Sequence, residues 1–326
     1  MFKRLNKNEN YFEGIRRLNK ENAEKGIHWR YQLINCRHCF ACSLNYSAEW
    51  ATRIMFEAKY HEHNYFITLT YDEEHLPIKE KMQMGEWEFE NDGTWTGTLE
   101  PDHMDKFKKS LRRYLEYHKK HQGVKIFYCG EYGETTGRPH YHAILMNCPL
   151  DITQFYDTHI DKNYKAHWKS KEIDKLWKHG IHDIAECEWS CAAYVARYCA
   201  KKWNKQADPL EYYSMGKIPE FVRMSDNIGI QYFQEHKDEI YKTDSVIIKS
   251  IKGRTGTFKP PKAYDKLLEK ENPELYDKIK ESRKHCMERS QELSKKVSDM
   301  TDMQKLRMSA EKTITKNNLL PRQGEF

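Results

Sequence analysis

No apolar run in this 326-residue chain approaches the roughly 20 residues needed to span a bilayer, so no membrane-crossing helix and no membrane partner are expected. The opening residues, MFKRLNKNEN, are basic, but no apolar stretch follows them, and a secretory signal is not expected. A Walker-type phosphate loop, G-x-x-x-x-G-K-[ST], is missing, which argues against an intrinsic helicase motor. There is no internal repeat and no low-complexity tract. The cysteines number nine, and an odd count without a secretory signal reads as reduced thiols in a cytoplasm rather than as a disulfide framework. Excess charge is also modest: +6 permits nucleic-acid binding without demanding it.

What is present is polar but aromatic. Charged residues make up 32%, hydrophobic residues 38%, and mean hydropathy is −0.96. Aromatics at 13%, with 21 Tyr and 8 Trp, argue against wholesale disorder and supply rings that either stack on bases or fill cores. The length suits one large domain, or one domain with extensions.

Period-2 and helical patterns divide the chain. Residues 64–71, NYFITLTY, are β-branched and aromatic and predict a strand. Residues 84–99 resemble a hairpin turning at Asp92-Gly93. Residues 102–121 form the clearest amphipathic helix, with Met104, Phe107, Leu111 and Leu115 on one face. Its Lys106, Lys108, Lys109, Arg112, Arg113, Lys119 and Lys120 make a solvated face or a phosphate-contacting one, and spacing favours the former. Strands at 124–131 and 140–146 flank the turn-rich YGETTGRP and should pair as an antiparallel hairpin. A helix is expected near 164–179, a short strand near 182–188, and a helix over 190–203. Another helix should include Leu44, Ala48, Ala51 and Met55. The expected class is α+β, an antiparallel sheet with flanking helices. The expected boundaries are an N-terminal arm with a Cys-rich helical segment (1–60), a core (61–205), an irregular extension (206–262) and a charged helical tail (263–326).

Two constellations carry chemistry. In His140-Tyr141-His142 the imidazoles are two apart, so on a strand they face one way and can reach one ion. Glu131, at the end of the preceding strand, can complete a two-His, one-carboxylate site with open positions, as suits a catalytic divalent ion; Glu134, in the turn, is the alternative carboxylate. A bare H-x-H also arises by chance. In SCAAYVARYCAKKW, Tyr194, Arg197, Tyr198 and Lys201 follow i, i+3, i+4, i+7 and form one stripe, with Ala192, Val195, Ala196, Cys199 and Trp203 opposite. A phenol with a pKa near 10 is a weak nucleophile at neutral pH, and neighbouring cations or a metal on the phosphate reduce that barrier. The bland alternative is a tyrosine-rich helix that packs by its rings.

FITLTY, CGEYGETTGRPHYHAIL and YVARYCAKK, in this order, resemble the HUH-type rolling-circle replication initiators, in particular those of microviruses of the gokushovirus type. The upstream CRHCFACSLNYSAEWATRIMFEA and the downstream KPPKAYDKLLEKENPELY look similar too, so the resemblance covers roughly residues 33–280. It implies an HUH endonuclease-like fold and a site-specific DNA endonuclease and strand-joining enzyme acting through a phosphotyrosine intermediate and leaving a 3′-hydroxyl primer. By the same resemblance His140, His142 and Glu131 match the metal ligands, for Mg2+ or Mn2+. Tyr194 and Tyr198 match the paired tyrosines, Lys201 the lysine after the second tyrosine, and Arg197 the basic residue after the first. The implied partners are origin DNA, single-stranded or locally melted, together with host polymerase and helicase, in the cytoplasm of a bacterial host.

Cys36, Cys39 and Cys42, spaced C-x2-C-x2-C, suit a structural Zn2+ if His38, Cys187 or Cys191 supplies a fourth ligand; otherwise they are reduced packing cysteines. Two other functions compete. A non-catalytic, zinc-stabilised nucleic-acid-binding protein would bind DNA without either tyrosine. A small-substrate metallohydrolase would leave the shared tyrosine stripe unexplained.

Overall fold

The computed structural model describes residues 11–26, 40–77, 97–133, 136–161, 165–204, 212, 216–249, 255–297, 308 and 311–312. The chain divides into two compact units, Ser43–Ser282 and Met1–Cys42 with Arg283–Phe326. In the second of these, residues expected as a polar arm include a helix, α1 (Tyr11–Glu24), in which Leu18 and Asn22 are buried one turn apart. Its apolar positions Tyr11, Ile15 and Leu18 recur at helical spacing but are too sparse to mark it out from sequence.

The larger unit is built on one sheet. Its strands are β1 (Asn64–Tyr71), β2 (Lys125–Tyr132), β3 (Pro139–Met146), β4 (Phe155–Ile160), β5 (Ala166–Ser170), β6 (Gly180–Glu186) and β7 (Phe221–Met224). They run in the order β4-β5-β6-β1-β3-β2-β7, and every neighbouring pair is antiparallel. The class is therefore α+β, with helices on both faces. The pleat sorts residues between those faces. Ile67, Leu69, Tyr128, Tyr141, Ala143 and Leu145 point to one side, where Met104, Phe107, Leu111 and Leu115 of α3 (Pro101–Lys119) cover them. Phe66, Phe127, Cys129, Ile144 and Met146 point to the other, beneath Ala51 and Ile54 of α2 (Phe40–Ala58) and Ala192, Val195 and Ala196 of α5 (Trp189–Asn204).

α3 begins as its sequence predicts. Pro101 occupies the first turn, where its missing N–H is no loss, and the Glu100 carboxylate accepts from the Asp102 N–H. The helix stops at Lys120 in a left-handed conformation, φ 51°. Two glycines are demanded by close approach. A Cβ on Gly130 of β2 would lie 3.0 Å from Leu99 and Phe221 side chains. Gly180, at φ +146°, would place one 2.3 Å from the Asp72 backbone nitrogen.

Two regions differ from expectation. Residues 166–170 form a strand, not the start of a helix, because His167 and Trp168 pair with Ala185 and Ile184 of β6. The helix is confined to α4 (Lys171–Leu176), capped by the Ser170 hydroxyl, which accepts from the Glu172 N–H at 3.2 Å. Pairing with an existing strand outweighs local helical preference. The stretch 206–262, expected to be irregular, includes β7, α6 (Ile230–Thr243) and the hairpin β8 (Val246–Lys249) and β9 (Thr255–Phe258). Their apolar residues have few local companions. They are buried by non-local ones, Phe56 and Tyr264 among them, in a separate cluster with Phe233, Ile240 and Ile248. The charged tail starts as α7 (Lys262–Glu271), and α8 (Pro273–Val297) follows after Asn272. The expected hairpin at 84–99 lies outside the described residues.

Candidate metal centre and tyrosine helix

The β2–β3 hairpin sets Glu131 opposite His140 and Cys129 opposite His142. Cross-strand partners share a face, so Glu131, His140 and His142 all project toward the side covered by α5. Glu131 Oε1 lies 2.8 Å from both His140 Nε2 and His142 Nε2, and the three donor atoms can surround one ion. Glu131 and His142 are each only 2% exposed.

Hydrogen bonds on the far side of each ring aim these nitrogens. His140 Nδ1 lies 3.0 Å from the Arg138 carbonyl oxygen, which can only accept, so Nδ1 carries the proton and a neutral ring presents its Nε2 lone pair inward. His142 Nδ1 lies 2.9 Å from the buried Thr68 Oγ1, a contact that serves the same tautomer when the ring donates. Two imidazole lone pairs and a carboxylate then face one another, an arrangement that holds only with a cation or a shared proton between them. Glu131 Oε2 is buried and has no hydrogen-bond partner among the described residues. These features fit a divalent ion held by Glu131, His140 and His142. Two nitrogens and one carboxylate leave room in the coordination sphere for water or a phosphate oxygen.

The electrostatics agree with a carboxylate kept charged. Burial alone would raise the pKa of Glu131, but the adjacent His142 and His140 outweigh it and bring it to about 2. Burial pulls the His140 imidazole down, yet hydrogen bonding and charge from Glu131 leave it above the ordinary histidine value.

α5 brings a phenol to this cluster. Its apolar side, Ala192, Val195 and Ala196, is buried on the sheet, as the sequence pattern predicts. Tyr194 then lies over the triad, with its hydroxyl 3.3 Å from Glu131 Oε1 and its ring edge-on to His142 at 5.2 Å between centroids. Arg197, Tyr198 and Lys201 lie on the same helix, and their side chains are outside the described residues. So are Glu134, Cys36, Cys39 and the side chain of Cys42. Sequence reading assigned FITLTY to the site as a flanking strand but gave Thr68 no role. The signal available was strand alternation, which puts Thr68 on the same face as its partner His142.

The basic helix is placed differently. α3 covers the sheet face opposite the triad. Lys108 is engaged by Asp105 at 2.6 Å and by the Tyr128 hydroxyl at 3.1 Å, while Arg112 reaches Ser225 Oγ at 3.2 Å. Among the described residues no helix is long and apolar enough to cross a membrane.

Comparison with known proteins bears on the whole arrangement. The model of the replication-associated protein ORF2 family matches residues 64–203, the span from β1 to the end of α5. The chain is 39% identical over 261 residues to the replication-associated protein ORF2 of Spiroplasma virus 4, covering 79% of this chain and 75% of that one. It is 28% identical to the replication-associated protein ORF4 of Chlamydia phage 1, over 67% of this chain and 50% of that one. It is also 28% identical to the replication-associated protein VP4 of Bdellovibrio phage phiMH2K, over 74% and 69% respectively. No solved structure matches the chain. On these relationships the chain belongs to the replication-associated proteins of microviruses, the rolling-circle initiators that its three ordered motifs resemble.

Proposed function

We propose that this protein initiates phage DNA replication by nicking one strand of origin DNA with a tyrosine and remaining joined to it. The observation that carries the reading is the meeting of Tyr194 with the Glu131–His140–His142 cluster, a phenol within 3.3 Å of a carboxylate that also touches two imidazoles. A Mg2+ or Mn2+ ion bound there would polarise the scissile phosphate. Tyr194 supplies the nucleophile: its oxygen bonds to phosphorus, the bond from phosphorus to the 3′ oxygen breaks, and the DNA 5′ end is held as a phosphotyrosine. The phenol proton is lost to solvent and the leaving 3′ oxygen gains one, so the step balances without a co-reactant. One phosphoester replaces another, and no nucleoside triphosphate is consumed.

Glu131 acts as an orienting acceptor for the Tyr194 hydroxyl rather than as the base, because a carboxyl with a pKa of about 2 holds a proton too weakly at neutral pH. Tyr198, one turn along α5, serves as the second nucleophile. It allows one tyrosine to keep the first DNA end while the other cleaves again and rejoins, with Arg197 and Lys201 neutralising phosphate charge. The 3′-hydroxyl primes host polymerase, and host helicase unwinds the duplex, in the cytoplasm of the infected bacterium. The Cys36, Cys39 and Cys42 segment would hold a structural zinc ion apart from this chemistry.

The test uses labelled single-stranded oligonucleotides incubated with purified protein and Mn2+, with and without chelator, and resolved on a denaturing gel. A chelator-sensitive protein–DNA adduct that is lost in the Tyr194→Phe/Tyr198→Phe variant is expected. An adduct that persists in that variant moves the nucleophile elsewhere. DNA binding without any adduct across a well-covered library returns the protein to the non-catalytic binding class.

A further inference from the structure

A second group of metal-ligating side chains lies outside the site described above. Asp183 on β6, His167 on β5 and His159 on β4 occupy three consecutive strands at one side of the sheet. His167 pairs with Ala185 and with His159, and Asp183 sits two residues from Ala185, so the pleat turns all three to one face. It is the face of His142, because Thr68 is the cross-strand partner of both His142 and Asp183. A register shift between Tyr156 and His159, with Asp157 in a left-handed conformation at φ 51°, breaks regular pairing in β4. Beyond it the His159 ring stacks on His167 with 5.2 Å between centroids.

We propose that Asp183, His167 and His159 bind a second first-row divalent cation, with the Asp161 carboxylate beside them. One donor atom from each of the three residues lies within 4.8 Å of the others. His159 Nε2 is 3.8 Å from Asp183 Oδ1, and Asp161 Oδ2 is 3.7 Å from His167 Nε2. Ligands at the usual ~2.0–2.2 Å from such an ion stand about 3–3.5 Å apart, so a contraction of a few tenths of an ångström suffices.

An ordinary ion pair is the competing explanation. His167 Nδ1 is hydrogen-bonded to Asp183 Oδ2, and that contact explains one carboxylate oxygen. It leaves Oδ1, a buried atom without a hydrogen-bond partner among the described residues, directed toward His159. A buried carboxylate oxygen left bare is costly, and a cation between Oδ1 and the imidazoles offsets that cost. Two imidazoles with carboxylate favour Mn2+, Co2+ or Zn2+ over Mg2+.

The separation from the first site sets the role. Two strand spacings, about 10 Å, lie between His142 and Asp183, well beyond the roughly 3.5–4 Å of a two-metal reaction centre. The second ion therefore ties the edge hairpin β4–β5 to β6 and does not share the phosphate under attack. The proposal stands independently of the nicking chemistry.

Equilibrium dialysis of the full chain against Mn2+ through the millimolar range, counting bound ion by paramagnetic resonance, tests it. Mn2+ is the probe because thiolates such as Cys36, Cys39 and Cys42 compete for zinc. The wild type should hold two ions and Asp183→Asn one. His159→Ala, at an exposed position, should also hold one, which separates loss of a ligand from loss of fold. His140→Ala/His142→Ala should keep the ion at Asp183. Two ions retained in both Asp183→Asn and His159→Ala overturn the proposal, as does a single wild-type ion that disappears with His140 and His142. A single wild-type ion that disappears with Asp183 instead supports this site and removes the first.

Discussion

Replacing Thr68 by Val removes one hydroxyl from the site and almost nothing else. The two side chains have nearly the same shape, both suit a strand, and Thr68 sits in mid-strand on β1 between β3 and β6. What is lost is the 2.9 Å contact with His142 Nδ1. Without it His142 loses the partner that fixes its tautomer and points Nε2 at Glu131, 2.8 Å away. A neutral hydrogen bond contributes about 0.5–1.5 kcal/mol, up to roughly tenfold in an equilibrium constant. Outer partners of metal-bound imidazoles typically change metal affinity by about 10–100-fold. The expected result is a nicking reaction whose half-saturating Mn2+ concentration rises about 10–100-fold, with most of the rate recovered at high Mn2+ and DNA binding intact. The assay is adduct formation on an origin oligonucleotide across a Mn2+ titration, beside a melting curve for each protein. An unchanged Mn2+ dependence in a normally folded Thr68→Val protein would refute the role given to Thr68. A loss of rate that no Mn2+ concentration restores would count against the role given to the ion.

Three further outcomes follow from the same geometry. His142→Ala should lose cleavage by far more than it loses DNA binding, and normal nicking by that variant would break the metal assignment. Reversing Lys109 and Arg113 should leave the salt dependence of DNA binding unchanged, because α3 lies on the far side of the sheet from Tyr194. A drop of about 1.4 in the slope of log affinity against log salt, the signature of two lost single-strand phosphate contacts, would show that DNA reaches that face. Gly180→Ala should destabilise the fold by about 3 kcal/mol or prevent folding, since its Cβ meets Asp72 N at 2.3 Å and Thr70 O at 2.4 Å, both backbone atoms with little freedom to move. An unfolding midpoint in urea equal to that of the wild type would contradict the β1–β6 register.

Local chemistry determined a large part of this protein. Period-2 apolar runs are short-range signals, and the strands at 64–71, 125–132 and 139–146 lie where those runs lie. His140 and His142 needed only strand geometry to share a face, and Glu131 needed only the short turn that sets it opposite His140. The apolar side of α5 likewise predicted which way Tyr194 would look, and the order of the three motifs already carried the family. Contacts across many residues had no such signal. Thr68 meets His142 from 74 residues away. Residues 166–170 became a strand only because β6 was there to pair with. Asp183, His167 and His159 come from three strands, and their common face depends on register together with a break in β4 that no local pattern announces. The basic face of α3 could not be assigned from its own spacing, since amphipathicity tells which side of a helix is buried but not which face of the sheet receives it. Sequence determines what each segment prefers, because that preference rests on neighbours within one helical turn or one strand pair. Which segments meet depends on burying apolar faces belonging to distant parts of the chain, and that was decided only in the folded molecule.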